Sequence, residues 1–193
     1  MTYKRKLIVA VFFLSILSLS GYSFTSNQVA AKVKTVAEGR SQTEWVERAA
    51  ALVQMKDWQG LLDWCLKWTK SEPKDADAWY SLGFAYHTLK RYNEAIEAYL
   101  QAIRINPEYA SAWYDLGNTY GNLNRYDDAV EAYHQELRNN PKHAAAWNNL
   151  GIAYFFSGNR TAALEVVQKL RRLDPGGAKA LYSIIMSPRG GLP

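Results

Sequence analysis

A chain of 193 residues with 48% hydrophobic, 13% aromatic and 21% charged side chains can build a folded core and is too apolar for wholesale disorder. The formal charge of +5 overstates its basicity, because Lys4, Arg5 and Lys6 supply three of the charges and leave 20 basic against 18 acidic groups. That balance excludes the charge density of a nucleic-acid binder.

Residues 1–31 read as a signal peptide or an N-terminal membrane anchor. Lys4-Arg5-Lys6 precedes a 13-residue apolar run from Leu7 to Leu19, short for a membrane span and suited to a signal core. Counting Gly21, Tyr22 and Phe24 stretches the run towards ~18 residues, enough for an uncleaved anchor. Both readings place the rest of the chain outside the cytoplasm: periplasmic, secreted, or held at a membrane only through that segment. Residues 32–40 have weak apolar periodicity and read as a linker.

From residue 41 two ladders run together. Trp45, Trp79, Trp113 and Trp147 are each 34 residues apart, and Pro73, Pro107, Pro141 and Pro175 keep the same step. Two unrelated residue types sharing so long a period mean one supersecondary unit copied and stacked. The units are 41–74, 75–108, 109–142 and 143–176.

The first unit departs most from the others. Ser41 and Glu44 form a capping-box pattern that starts a helix, but Arg48, Ala49 and Leu61 stand where later units have leucine, glycine and alanine. Its second helix carries Trp58, Gly60, Trp64, Cys65 and Trp68. These read either as an atypical terminal unit or as an apolar patch for a partner or a second copy. Cys65 is the single cysteine; without a mate for a disulfide, it reads as a small buried hydrophobe.

The second unit shows the pattern in full. Trp79, Leu82, Gly83 and Tyr86 follow the spacing of one helical face, and Ala95, Tyr99 and Ala102 that of another. Leu89–Arg91 break the two helices apart, and Asn106-Pro107 end the second. Gly83 is expected to let Ala95 pass closely, as Gly117 does for Ala129 and Gly151 for Ala163. Each ladder tryptophan is expected to act as a strut, with an upper bound of roughly 4–6 kcal/mol from burial.

In the third unit Glu136 replaces an alanine, and Asp127-Asp128 open a helix where carboxylates favour its dipole. In the fourth, Val167 and Leu170 replace an aromatic and an alanine. Gly158 and Gly176–Gly177 read as turns. A short closing helix is expected over 177–186, with Leu181 in the ladder slot beside Ile184 and Ile185, followed by a flexible tail at 187–193. Charge is polarised: 41–159 carries net −4 and 160–193 net +4.

No catalytic constellation is visible, so the chain is expected not to be an enzyme and to need no cofactor. His87, His134 and His143 lie on different elements without metal-ligand spacing, so no metal is expected.

The motif W-x-x-L-G-x-x-Y followed by alanine, an aromatic, alanine and proline, at 34-residue spacing over 41–176, resembles the tetratricopeptide repeat family closely. The resemblance implies an all-α solenoid: a right-handed superhelix of antiparallel helix pairs, four units plus a capping helix. It also implies a non-enzymatic scaffold for a protein or peptide partner, held in a concave groove lined by the first helices. The residues opposite the packing stripe are Tyr80, Phe84, His87, Tyr114, Asn118, Asn122, Asn148, Ile152 and Phe156. Aromatics interleaved with amides suit a peptide, and also suit an envelope polysaccharide. One subfamily clamps carboxy-terminal carboxylates with lysine, two asparagines, lysine and arginine. Tyr114, Asn118, Asn149, Lys179 and Ser183 hold those slots here, so two positive charges are missing and the clamp is expected to be absent. Self-association through the first unit or the carboxy-terminal end is a further expectation.

Overall fold

The computed structural model describes residues 42–187. The export segment, the linker, Ser41 and the tail past Ser187 lie outside the described residues. The chain divides into two compact units, Met1–Glu47 and Arg48–Pro193. In the first, residues 42–47 are described and helical. All the packing below belongs to the second.

Among the described residues there are only helices. They are α1 (42–54), α2 (Trp58–Ser71), α3 (Ala76–Thr88), α4 (Tyr92–Ile105), α5 (Ala110–Asn122), α6 (Tyr126–Asn139), α7 (Ala144–Phe156), α8 (Arg160–Leu170) and α9 (Pro175–Met186). Within repeats α3 packs on α4, α5 on α6 and α7 on α8. Between repeats α2 packs on α3, α4 on α5 and α6 on α7. First helices also touch the next first helix, α3 with α5 and α5 with α7. This is an α-solenoid of antiparallel helix pairs, closed by α9 against α7 and α8.

The turn inside each repeat has one construction. Lys56, Lys90, Asn124 and Gly158, each 34 residues apart, adopt φ of 55°, 59°, 57° and 86°. The following amide reaches back over the helix end: Asp57 to Leu52, Arg91 to Tyr86, Arg125 to Tyr120 and Asn159 to Tyr154, at 2.8–3.0 Å. These are Schellman closures, which satisfy the last carbonyls of a first helix and reverse the chain. Arg91 and Arg125 then lay their guanidinium groups 4.6 Å over the Tyr86 and Tyr120 rings.

The joint between repeats is built from the two ladders themselves. The indole Nε1 of Trp79, Trp113 and Trp147 donates to the carbonyl of Pro73, Pro107 and Pro141 at 3.0, 2.8 and 2.9 Å. These indoles are half-buried, so the energy expected from complete burial is not reached. Two alanine ladders are instead fully buried, Ala78, Ala112 and Ala146 on the first helices and Ala95, Ala129 and Ala163 on the second.

The glycine expectation is corrected in its partner. A Cβ on Gly83 would meet the Tyr99 ring at 2.6 Å, and one on Gly117 the Tyr133 ring at 2.6 Å; Ala95 and Ala129 are not the atoms in the way. At Gly151 the obstacle is the Leu181 side chain of α9, then Val166 at 3.2 Å. The residue that loses the aromatic, Val167, thus leaves room that Leu181 fills, and Leu181 is buried. Gly176 and Gly177 lie in the first turn of α9 and form no loop. Asp174 caps that turn by accepting from the Gly177 amide at 2.9 Å, and Pro175 takes the first helical position.

Trp68 does not belong to an exposed patch. It is buried, and its Nε1 donates to Asp75 Oδ2 at 3.1 Å. Trp58 sits edge-on to Phe84 with ring centroids 6.4 Å apart. Cys65 is fully buried as expected, and burial pushes its thiol up to about 12.

Candidate functional site: a cleft between the middle repeats

First helices that pack side by side leave a flank that their second helices close only in part. Between α3, α5, α6 and α7 that flank opens a cleft of about 490 Å³. His87 comes from α3. Asn118, Gly121 and Asn122 come from α5, with Tyr126, Ala129 and Tyr133 from α6. Asn149, Ile152, Ala153 and Phe156 come from α7. One end is apolar: Tyr126 and Phe156 stack with centroids 5.2 Å apart and an interplanar angle of 21° beside Ile152. The other end is polar and uncharged.

A continuous hydrogen-bonded network holds the polar end. Tyr80 donates its hydroxyl to Asp115 Oδ2 at 2.9 Å, and Asn118 Nδ2 donates to Asp115 Oδ1 at 3.3 Å. Asn118 Oδ1 accepts from Tyr133 at 2.8 Å and from Asn149 Nδ2 at 2.9 Å. Asn149 Nδ2 also donates to the Tyr114 hydroxyl at 3.3 Å. Thr119 donates to the Asp115 carbonyl at 2.6 Å, and His87 Nδ1 lies 2.8 Å from Thr119 Oγ1.

The electrostatics follow from this burial. Desolvation raises the Asp115 carboxyl above its ordinary range, although the bonds from Tyr80 and Asn118 oppose it. Desolvation holds the His87 imidazole below its usual value, with the Asp115 charge pulling the other way. Burial also raises the Tyr80 and Tyr133 phenols. Tyr80 gains further stacking on Tyr109, centroids 5.0 Å apart.

Of the nine groove residues read from the sequence, His87, Asn118, Asn122, Ile152 and Phe156 line the cleft. Tyr80, Phe84, Tyr114 and Asn148 do not. Tyr80 and Tyr114 are spent in the network, Phe84 packs against Trp58, and Asn148 donates to Asn149 Oδ1 at 3.4 Å. Of the carboxylate-clamp slots, Asn118 and Asn149 bond to each other, and Ser183 bonds to the Lys179 carbonyl at 2.9 Å. Sequence reasoning missed Asp115, Thr119, Tyr126 and Tyr133. Thr119 carried a usable signal: it occupies the slot of Ala85 and Ala153, so a hydroxyl sits where the repeat otherwise buries a methyl. Tyr126 and Tyr133 belong to a second helix, whereas the family resemblance points to the first helices.

Among the described residues no three His, Cys, Asp or Glu side chains form a metal-binding group, and no helix is long and apolar enough to cross a membrane.

Helix pairs joined this way, with a Gly-to-tyrosine contact in the second and third repeats and an amide-rich cleft between first helices, define a helical-repeat solenoid. Two family models, both described as tetratricopeptide repeat, match residues 76–109 and 114–178, together just over half of the chain. The chain belongs to the tetratricopeptide repeat family. No curated protein matches it. Among solved structures, a crystal structure of MamA is 24% identical with a TM-score of 0.66, covering 79% of this chain and 91% of that one. A tetratricopeptide repeat protein from Parabacteroides merdae is 20% identical with a TM-score of 0.70, covering 78% and 61%. The second such domain of human RPAP3, solved in complex with the HSP70 peptide SGPTIEEVD, is 22% identical with a TM-score of 0.52, covering 54% and 89%. At these identities the likeness is one of fold.

Proposed function

We propose that the chain is a non-enzymatic protein-interaction scaffold that receives a segment of a partner protein in the α3–α5–α6–α7 cleft. The observation that carries this is the cleft itself: an apolar end at Tyr126, Ile152 and Phe156 continuous with a row of amides. Such a surface accepts an extended segment, with rings covering apolar side chains and amides meeting backbone groups. The RPAP3 domain, bound to a peptide on the same fold, supports the reading. A carbohydrate has less support, because Tyr126 and Phe156 direct ring faces at each other.

The same proposal places the repeats outside the cytoplasm, supported by Lys4-Arg5-Lys6 and the apolar run to Leu19. Cell fractionation with mass measurement of the mature amino terminus tests this; an unprocessed chain in the cytoplasm would refute it. For the site, the test is in-cell crosslinking and mass spectrometry of wild type beside Ile152→Ala/Phe156→Ala. Loss of specific crosslinked partners with unchanged helicity supports the cleft, and an identical partner set moves the site elsewhere.

A further inference from the structure

Counting protons in the network fixes what the cleft has left to offer. A threonine hydroxyl carries one hydrogen. The 2.6 Å approach of Thr119 Oγ1 to the Asp115 carbonyl, an acceptor only, requires that hydrogen between them. Thr119 must then accept from His87, whose Nδ1 lies 2.8 Å away, so the imidazole is the Nδ1–H tautomer. His87 Nε2 is left as an acceptor without a hydrogen bond among the described residues, in a residue of the cleft wall whose ring also packs edge-on with Tyr92, centroids 5.4 Å apart.

The donors of Asn149 and Tyr133 are engaged inside the network, and what is left is neutral: the exposed Asn122 amide and the second hydrogen of Asn118 Nδ2. Both amide hydrogens of Asn149 are spent, on Asn118 Oδ1 and on the Tyr114 hydroxyl, and the Tyr133 hydroxyl is spent on Asn118. No Lys or Arg lines the cleft, and the Asp115 carboxylate is hydrogen-bonded to its wall through Asn118. A carboxylate entering here would shed its water, meet no cation and face a like charge, each of which opposes binding.

From this proton count and charge pattern we infer that the cleft selects an uncharged internal segment that presents a hydrogen-bond donor to His87 Nε2 and an apolar side chain to Ile152 and Phe156, and that it rejects carboxylate-bearing segments. This rests on the cleft being the partner site and names the chemistry of the partner.

The test uses the full chain on an array of immobilised peptides. Each core sequence is printed in a matched neutral, amidated form and in a form with Asp or a free carboxy terminus; SGPTIEEVD and its Gln/Asn-amidated counterpart serve as one pair. Binders lost in Ile152→Ala/Phe156→Ala are counted as cleft-dependent. The expectation is that cleft-dependent binding favours the neutral member by about tenfold. In Asn122→Lys, a cation at the exposed rim shifts the preference towards the acidic member. Cleft-dependent preference for acidic members in the wild type overturns the inference and leaves the site standing. No cleft-dependent binder at all removes the site and the inference together. Independently, histidine ring ¹H–¹⁵N correlation spectra near neutral pH are expected to show His87 protonated at Nδ1; a proton on Nε2 overturns the inference whatever the array shows.

Discussion

Glu136 Oε1 lies 2.7 Å from His143 Nδ1, while its Oε2, also buried, has no hydrogen-bonding partner among the described residues. The carboxyl occupies the slot that holds Ala102 in one neighbouring repeat and Leu170 in another, both fully buried. An acceptor left unmatched in such a place costs stability, on the order of 1–3 kcal/mol.

Glu136→Gln is therefore expected to raise thermal stability near neutral pH by roughly 1 kcal/mol. Desolvation raises this carboxyl against the His143 bond, so the folded state holds its proton more tightly than the unfolded state. The cost is absent below the ordinary glutamate value of 4.5 and grows as pH rises through the folded value. Melting curves from about pH 4 to about pH 8 should show the gain only at the upper end. A pH-independent difference would contradict the account.

The His87 imidazole titrates in the opposite sense. Burial holds its folded value below the usual 6.5, so it contributes an acid-labile increment that is lost as pH falls from that value through the folded one. Because the Asp115 charge partly offsets the burial, Asp115→Asn is expected to lower the His87 midpoint further. Ring-proton NMR titration of both proteins reads this directly, and a midpoint raised by the substitution would be incompatible with it.

Glycines in first helices should respond to alanine according to what each faces. Gly117→Ala drives a Cβ into the Tyr133 ring and is expected to cost about 1–3 kcal/mol despite the better helix propensity. Gly121, on the same helix, has nothing within 4 Å, so Gly121→Ala should stabilise by about 0.5–1 kcal/mol. Chemical denaturation of the pair separates the effects; equal signs would remove the packing explanation.

Trp113→Phe keeps a ring and deletes the Nε1 donor to the Pro107 carbonyl. A loss of about 0.5–1.5 kcal/mol is expected from that hydrogen bond, with helicity unchanged.

Cys65, fully buried and with its thiol pushed up to about 12, should resist thiol reagents in the folded chain and react at once after denaturation. Labelling of the native protein at the denatured rate would mean that α2 opens readily.

Much of the architecture was readable because repetition amplifies weak signals. One Trp or one Gly says little; the same residue at each step of 34 states a packing requirement. Helix ends followed for the same reason, with Leu89–Arg91 and Asn106-Pro107 falling where the chain turns. Legibility failed where the period names which residues recur but not which of them touch. Gly83 was assigned to Ala95 because both recur, yet the ring of Tyr99 fills the space. Gly177 resembled a turn residue because its role, sparing the Asp174 cap a clash, depends on a local contact. The cleft was half legible. Five of the nine residues read from the first helices line it, while Tyr80, Phe84, Tyr114 and Asn148 do not; Tyr126 and Tyr133 come from α6, and Asp115 and Thr119 matter through hydrogen bonds that spacing does not encode.

The indole-to-proline bond has a consequence for how such a chain can lengthen. Each 34-residue block carries a tryptophan for the proline before it and a proline for the tryptophan after it. A duplicated block therefore arrives with both halves of its own coupling, and neither neighbour has to change. At Leu181 the series stops, since the slot six residues past Pro175 holds a side chain with no hydrogen to give. An extra block inserted ahead of Pro175 would find its coupling ready, whereas one added after α9 would have to invent a new one.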